Sequence, residues 1–128
     1  MKSLIIFPSQ DTPDIQFNAN GELSIKGISV PENVQSFYKD VLLWLEEFKN
    51  SLPAHVNLNL AIEYMNTSSV KMIVSILQQL IKFCNPETKL TINWICDTED
   101  EELIEEGEML QETLNFPFNF ILDESEGN

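Results

Sequence analysis

The sequence predicts an α/β domain, a mixed β-sheet with helices packed against it. Short segments in which apolar and polar residues alternate are interleaved with longer ones whose apolar residues return every three or four positions. Turn and stop signals such as Asn20-Gly21 and Asn85-Pro86 separate them. At 128 residues, 43% hydrophobic with four glycines and six prolines, the chain also has the size and composition of one globular domain with a substantial core.

Ile15-Gln16-Phe17 and Leu23-Ser24-Ile25-Lys26-Gly27 alternate on either side of Asn20-Gly21, which predicts a hairpin. Pro31 opens a helix in the position proline favours. Val34, Phe37, Tyr38, Val41, Leu45 and Phe48 give that helix one apolar face through about Lys49. Leu58, Leu60, Ile62 and Tyr64 alternate with polar or small residues, predicting a strand over 57–64 with those four on one face.

A second amphipathic helix over 69–84 carries Ile73, Ile76, Leu77, Leu80, Ile81 and Cys84, and Asn85-Pro86 stops it. Leu90, Ile92, Trp94 and Cys96 mark a strand over 90–96. A third helix over 100–114 turns Leu103, Leu110 and Leu114 inward. Its first turn is acidic, as suits a helix N-terminus, and Gly107 weakens it locally. Residues 116–122 read as a last strand and 123-DESEGN-128 as a frayed end. The predicted order is β-β-α-β-α-β-α-β within a single domain spanning 1–128, with Trp44 and Trp94 at least partly buried. Strands separated by helices require crossovers, so part of the sheet is parallel while the hairpin is antiparallel.

Charge narrows the function. The net charge is -14, all seven basic residues are lysines, and residues 90–128 hold twelve acids and no base. Such a field repels nucleic acid and anionic membrane, and attracts a basic protein surface. The acidic helix, through Glu101, Glu102 and Glu105, is therefore a candidate partner-binding face. The N-terminal run Leu4-Ile5-Ile6-Phe7 stops at Pro8, too short for a signal-peptide core or a membrane span, so the chain is expected to be cytoplasmic. On that expectation the glycosylation sequon Asn66-Thr67-Ser68 is coincidental.

Chemistry is sparse. GxGxxG, GxxxxGK[ST], GxSxG and HExxH are all missing. Cys84, Cys96 and the lone His55 cannot build an ordinary zinc site, and the two cysteines read as buried free thiols. His55 reads as an exposed loop histidine. Eight acids lie within Asp97–Glu108, but without the alternation and central glycine of an EF-hand loop. They read as a solvated helix start. No cofactor or metal is implied.

That leaves 66-NTSS-69, four polar residues at a strand-to-helix junction. Asn, Thr and Ser are preferred N-caps, yet capping uses one side chain and accounts for only one of the three hydroxyls. A helix N-terminus also welcomes an attached phosphate. From the residues alone, capping and modification both stand.

A strand followed by a short polar turn with Ser or Thr starting a helix resembles the phosphorylation site of STAS-type anti-sigma-factor antagonists. The chain is more closely similar to the SiaC family of bacterial regulatory phosphoproteins, which share that fold. The resemblance runs through 31-PENVQSFYKDVLLWLEEF-48, 63-EYMNTSSVK-71, 92-INWICDTEDEELIEEGE-108 and 116-FPF-118. It implies a STAS-like sheet and a switch in place of a catalyst. A dedicated serine/threonine kinase phosphorylates the threonine of the turn, and a PP2C-like phosphatase removes the phosphate. The unmodified form binds and activates a diguanylate cyclase, which places the family in c-di-GMP signalling and biofilm control. Carried onto this sequence, the acceptor is Thr67, with Asn66, Ser68, Ser69 and Lys71 around it as partner-binding residues. Where the family often has aromatic residues after the tryptophan, this chain has Ile95-Cys96. Two other readings compete: an anti-sigma-factor antagonist acting on a sigma-factor regulator, and a small enzyme using Cys96 or the acidic cluster.

Overall fold

In the computed structural model, which describes residues 1–123, a six-stranded sheet runs in chain order, β1 (Leu4–Ile6), β2 (Asp14–Phe17), β3 (Glu22–Ser29), β4 (His55–Met65), β5 (Lys89–Asp97) and β6 (Asn119–Asp123). The first three strands are antiparallel, and β3 through β6 are parallel. Each parallel step is bridged by a helix: α1 (Val34–Phe48), α2 (Thr67–Phe83) and α3 (Glu101–Leu114). Successive crossovers of one hand, all stepping the same way, deliver the three helices to one face. Accordingly α1 packs on α2 and α2 on α3.

The period-2 pattern supplies the inner face. Ile15, Phe17, Leu23, Ile25, Leu58, Leu60, Ile92 and Trp94 are buried beneath Tyr38, Val41, Leu45, Ile73, Ile76 and Leu80 of the helices. Trp44 and Trp94 are both buried, as expected. The outer face is polar. Asn93 donates to the side-chain oxygens of Asn57 at 3.0 Å and Asn59 at 2.8 Å, and Asn119 donates to Asn93 at 3.1 Å. This ladder of amides crosses three strands and satisfies Asn93, itself buried.

Several expectations need correction. The observed order has one more strand, β1, whose Leu4 and Ile6 pair with Phe17 and Ile15. The Leu4–Phe7 run is too short to signal an edge strand; what holds it is pairing with β2 and the Trp44 indole N–H, which donates to the Lys2 carbonyl at 2.9 Å. Pro31 lies outside α1, because Asn33 caps that helix by accepting from the Ser36 amide at 3.0 Å. His55 opens β4 and is exposed there, so it is not a loop residue. Cys96 is buried, but Cys84, at the C-cap of α2, is only half-buried. The last strand is shifted to 119–123, so Asp123 belongs to it; the rest of the expected frayed end, 124–128, lies outside the described residues.

One irregularity bears on function. Gly27 pairs with Ile62 but Ile28 pairs with Tyr64, so Glu63 is an extra residue on β4. This β-bulge reverses the alternation. Ile62 and Met65 are buried, and Tyr64, expected on the inner face, points outward with 60% exposure. On the partner strand Gly27 has φ +114°, a conformation that suits glycine.

Candidate functional site

The bulged end of β4 leads straight into the 66–69 turn, and there the polar residues divide the work. Asn66, not a hydroxyl residue, is the N-cap of α2: its side-chain oxygen accepts from the Ser69 amide at 3.0 Å. Ser68 Oγ donates to the same oxygen at 3.2 Å. Ser69 turns inward and is fully buried, its Oγ 2.8 Å from Ser29 Oγ, which in turn lies 2.7 Å from the Tyr38 hydroxyl. These three hydroxyls tie the start of α2 to the end of β3 and to α1. Burial pushes the Tyr38 phenol pKa up, so it stays protonated and able to donate.

Thr67 is the remaining hydroxyl. It is the first residue of α2, two residues ahead of the expected start, it is exposed, and its side chain has no hydrogen-bond partner among the described residues. With the cap spent on the Ser69 amide, the amides of Thr67 and Ser68 have no hydrogen-bond partner among the described residues at the positive end of the helix. A phosphate on Thr67 would stand beside them. Lys71, one turn along, is exposed and forms no ion pair among the described residues.

The sequence-predicted partner residues fall unequally. Asn66, Ser68 and Lys71 surround Thr67 at the surface, but Ser69 is corrected to an interior residue that no partner can touch. Glu101, Glu102 and Glu105 are exposed on α3, which Asp100 caps by accepting from the Leu103 amide at 3.1 Å. Two further exposed apolar side chains, Tyr64 and Met109, are not singled out by the sequence. They line a groove of about 400 Å³ between the bulged end of β4 and α3, with Met65 and Leu103 between them. Its rim is acidic, through Glu63, Asp100, Glu102, Glu105 and Glu106. Burial pushes the Glu106 carboxyl pKa upward.

The catalytic candidates do not converge. Register places His55 opposite Lys89 at the start of β5, seven residues before Cys96 on that strand. At roughly 3.3 Å per residue they are separated by on the order of 23 Å. The Cys96 thiol is pushed up in pKa, first by burial and then by the charges of Asp100 and Asp97, so it is held in the unreactive protonated form. Among the described residues no three His, Cys, Asp or Glu side chains gather as metal ligands, and no helix is long and apolar enough to cross a membrane.

Comparison with known proteins decides the family. The model of the SiaC family of regulatory phosphoproteins matches residues 6–123. The chain belongs to the SiaC family. An uncharacterized protein of Pseudomonas aeruginosa (strain UCBPP-PA14) is 34% identical over 119 residues, covering 92% of this chain and 94% of the relative. The crystal structure of apo-SiaC from Pseudomonas aeruginosa superposes with a TM-score of 0.83 at 31% identity, covering 94% of this chain and 99% of that one. SiaC from the same organism, crystallised in complex with the diguanylate cyclase SiaD that it activates, superposes with a TM-score of 0.86 at 32% identity, again covering 94% and 99%. The mixed sheet carrying three helices is thus the fold of the SiaC family, and the expected family membership is borne out over nearly the whole chain.

Proposed function

We propose that this chain is a non-catalytic cytoplasmic regulator switched by phosphorylation of Thr67. Its unmodified form binds and activates a diguanylate cyclase. A serine/threonine kinase transfers a phosphoryl group to the Thr67 hydroxyl and releases the cyclase, and a PP2C-like phosphatase restores the binding form. The observation that carries this reading is the division of labour at the turn. Asn66 caps, Ser68 bonds the cap and Ser69 is buried, which leaves Thr67 as the exposed hydroxyl with no hydrogen-bond partner among the described residues. The likeness to a SiaC that activates SiaD supports the choice of effector.

Physical chemistry explains how such a mark acts without unfolding the protein. The phosphate adds roughly -1.5 to -2 charges at neutral pH. Next to the unpaired amides of a helix N-terminus that charge is favourable, by about 0.3–1 kcal/mol when exposed. A bound partner, however, would have to desolvate the dianion or oppose it with its own groups, and a chain without arginine offers little internal compensation. The fold persists and binding is lost.

The test is incubation with the cognate kinase and ATP, followed by mass spectrometry and a binding assay with the cyclase. Phosphate should appear on Thr67, and Thr67→Ala should remain folded and bind the cyclase constitutively. Phosphate on Ser68 with Thr67 bare would move the acceptor, and none on either would sink the switch.

A further inference from the structure

We propose that the groove between the bulged end of β4 and α3 seats a basic amphipathic segment of the effector, its apolar side chains packing on Tyr64 and Met109 and its cations facing the acidic rim. This rests on the reading of the chain as a partner-binding switch and names the surface and chemistry by which it binds.

The apolar floor comes first. Tyr64 is 60% exposed and Met109 51% exposed, on different elements yet lining one groove. Together they form an exposed apolar pair at the end of the sheet. Strand alternation would bury a residue at the position of Tyr64, and the extra residue Glu63 turns it out. Bulges that re-aim one side chain are over-represented next to functional sites. A large aromatic and a methionine presented together are the residue types enriched at interface centres.

Charge then selects the occupant. The rim carries carboxylates from β4 and α3 and no base, and no base follows Lys89 anywhere in the chain. An acidic or neutral segment entering this groove would strip water from those carboxylates without compensation, whereas a lysine or arginine supplies it. Glu106 in this lining is half-buried, the environment in which a paired cation counts most. A bare divalent cation fits less well, since no three carboxylates among the described residues converge as ligands.

Position links the groove to the switch. Met65 lines the groove and Thr67 lies two residues further along the chain, so a segment seated here runs up to the modified hydroxyl. A phosphate there adds to the negative field that attracts a basic segment, so it opposes binding only at short range, by its hydrated bulk at the end of the groove.

The four methionines make the test simple. Met65 and Met109 line the groove, Met72 is in the core, and Met1 is exposed beside the β1 edge. The full-length protein labelled with ¹³C at the methionine methyls is titrated with a synthetic amphipathic helix bearing lysines on one face and leucines on the other. A second peptide with glutamate in place of each lysine is the control. The Met65 and Met109 resonances should shift with the basic peptide while Met1 and Met72 stay, and Tyr64→Ala should weaken that peptide at least tenfold. No shift at millimolar peptide, equal shifts at Met1, or an equal response to the acidic peptide would overturn the proposal. Cyclase binding by the same Tyr64→Ala variant separates the two readings. A tenfold loss supports the groove, and undiminished binding overturns it while leaving the switch intact. A wild-type protein that binds no diguanylate cyclase overturns the proposed function, and the peptide titration then decides the groove alone.

Discussion

Thr67 and Ser69 share one turn of α2 and differ in what they can be spared for. Ser69 bonds Ser29 in the interior, so Ser69→Ala removes one of the two hydrogen bonds of the buried Ser29 hydroxyl, which keeps its bond to Tyr38, and should cost about 0.5–1.5 kcal/mol. Thr67 is exposed with a free hydroxyl, and Thr67→Ala should change stability by no more than about 0.5 kcal/mol. Chemical denaturation of the two variants checks the contrast, and equal losses would contradict the assignment. Glu106 is a second residue with a definite expectation. Its folded pKa is raised by burial, so it ionises in the unfolded chain before it ionises in the folded one. Its contribution to stability is therefore full below the ordinary carboxylate range and is lost as pH rises through its folded pKa. Glu106→Gln should raise stability at pH 7 and shrink the gain the wild type shows on acidification towards pH 5, as thermal melting at the two values would report. The turn itself was legible from sequence as a candidate site, but the role of each hydroxyl was not. Asn, Thr, Ser and Ser are alike in polarity, and only the approach of Ser29 and Tyr38 from distant elements makes one of them interior.

Among the elements, α3 is seated by a close contact at Gly107. A Cβ on Gly107 would lie 2.6 Å from Trp94 Cδ1 and Nε1 and 2.8 Å from Phe120 Cε2. The helix therefore sits directly on the indole, whose N–H donates to the Leu103 carbonyl at 2.9 Å. From sequence Gly107 reads as a weakness in the helix; in the fold it permits the close approach. Gly107→Ala, favourable by helix propensity alone, should instead destabilise by about 1–3 kcal/mol through overpacking, and a raised melting temperature would refute this. The same helix carries the acidic face. Reversing Glu101, Glu102 and Glu105 to Lys should leave the fold intact and slow association with a basic partner. Wild-type association rates that are the same at low and high salt would reduce that face to a solubility feature. Two elements escaped the sequence for physical reasons. β1 spans three residues, too few for a period to be read, and the bulge at Glu63 leaves no mark in composition, so Tyr64 counted as one more inward residue.

At the scale of the whole molecule, the alternation of periods 2 and 3.6 was enough to read the order of the later strands and helices and hence a parallel sheet. Parallel pairing requires the crossovers those helices provide, and their shared hand fixes the face they cover. What the pattern lacks is any measure of exposure at the junctions, and the proposed switch and the groove both lie at junctions. The charge split was legible too, and it separates two effects of phosphorylation. A chain at -14 that gains up to two further negative charges attracts a basic partner no less at long range. In the proposed switch, release therefore comes from faster dissociation, with association unslowed. The direct measurement is the binding kinetics of a diguanylate cyclase with the unmodified and the Thr67-phosphorylated protein, side by side. The account predicts an affinity at least tenfold lower for the phosphorylated form, about 1.4 kcal/mol, carried by the dissociation rate. Equal or tighter binding of the phosphorylated protein would contradict it.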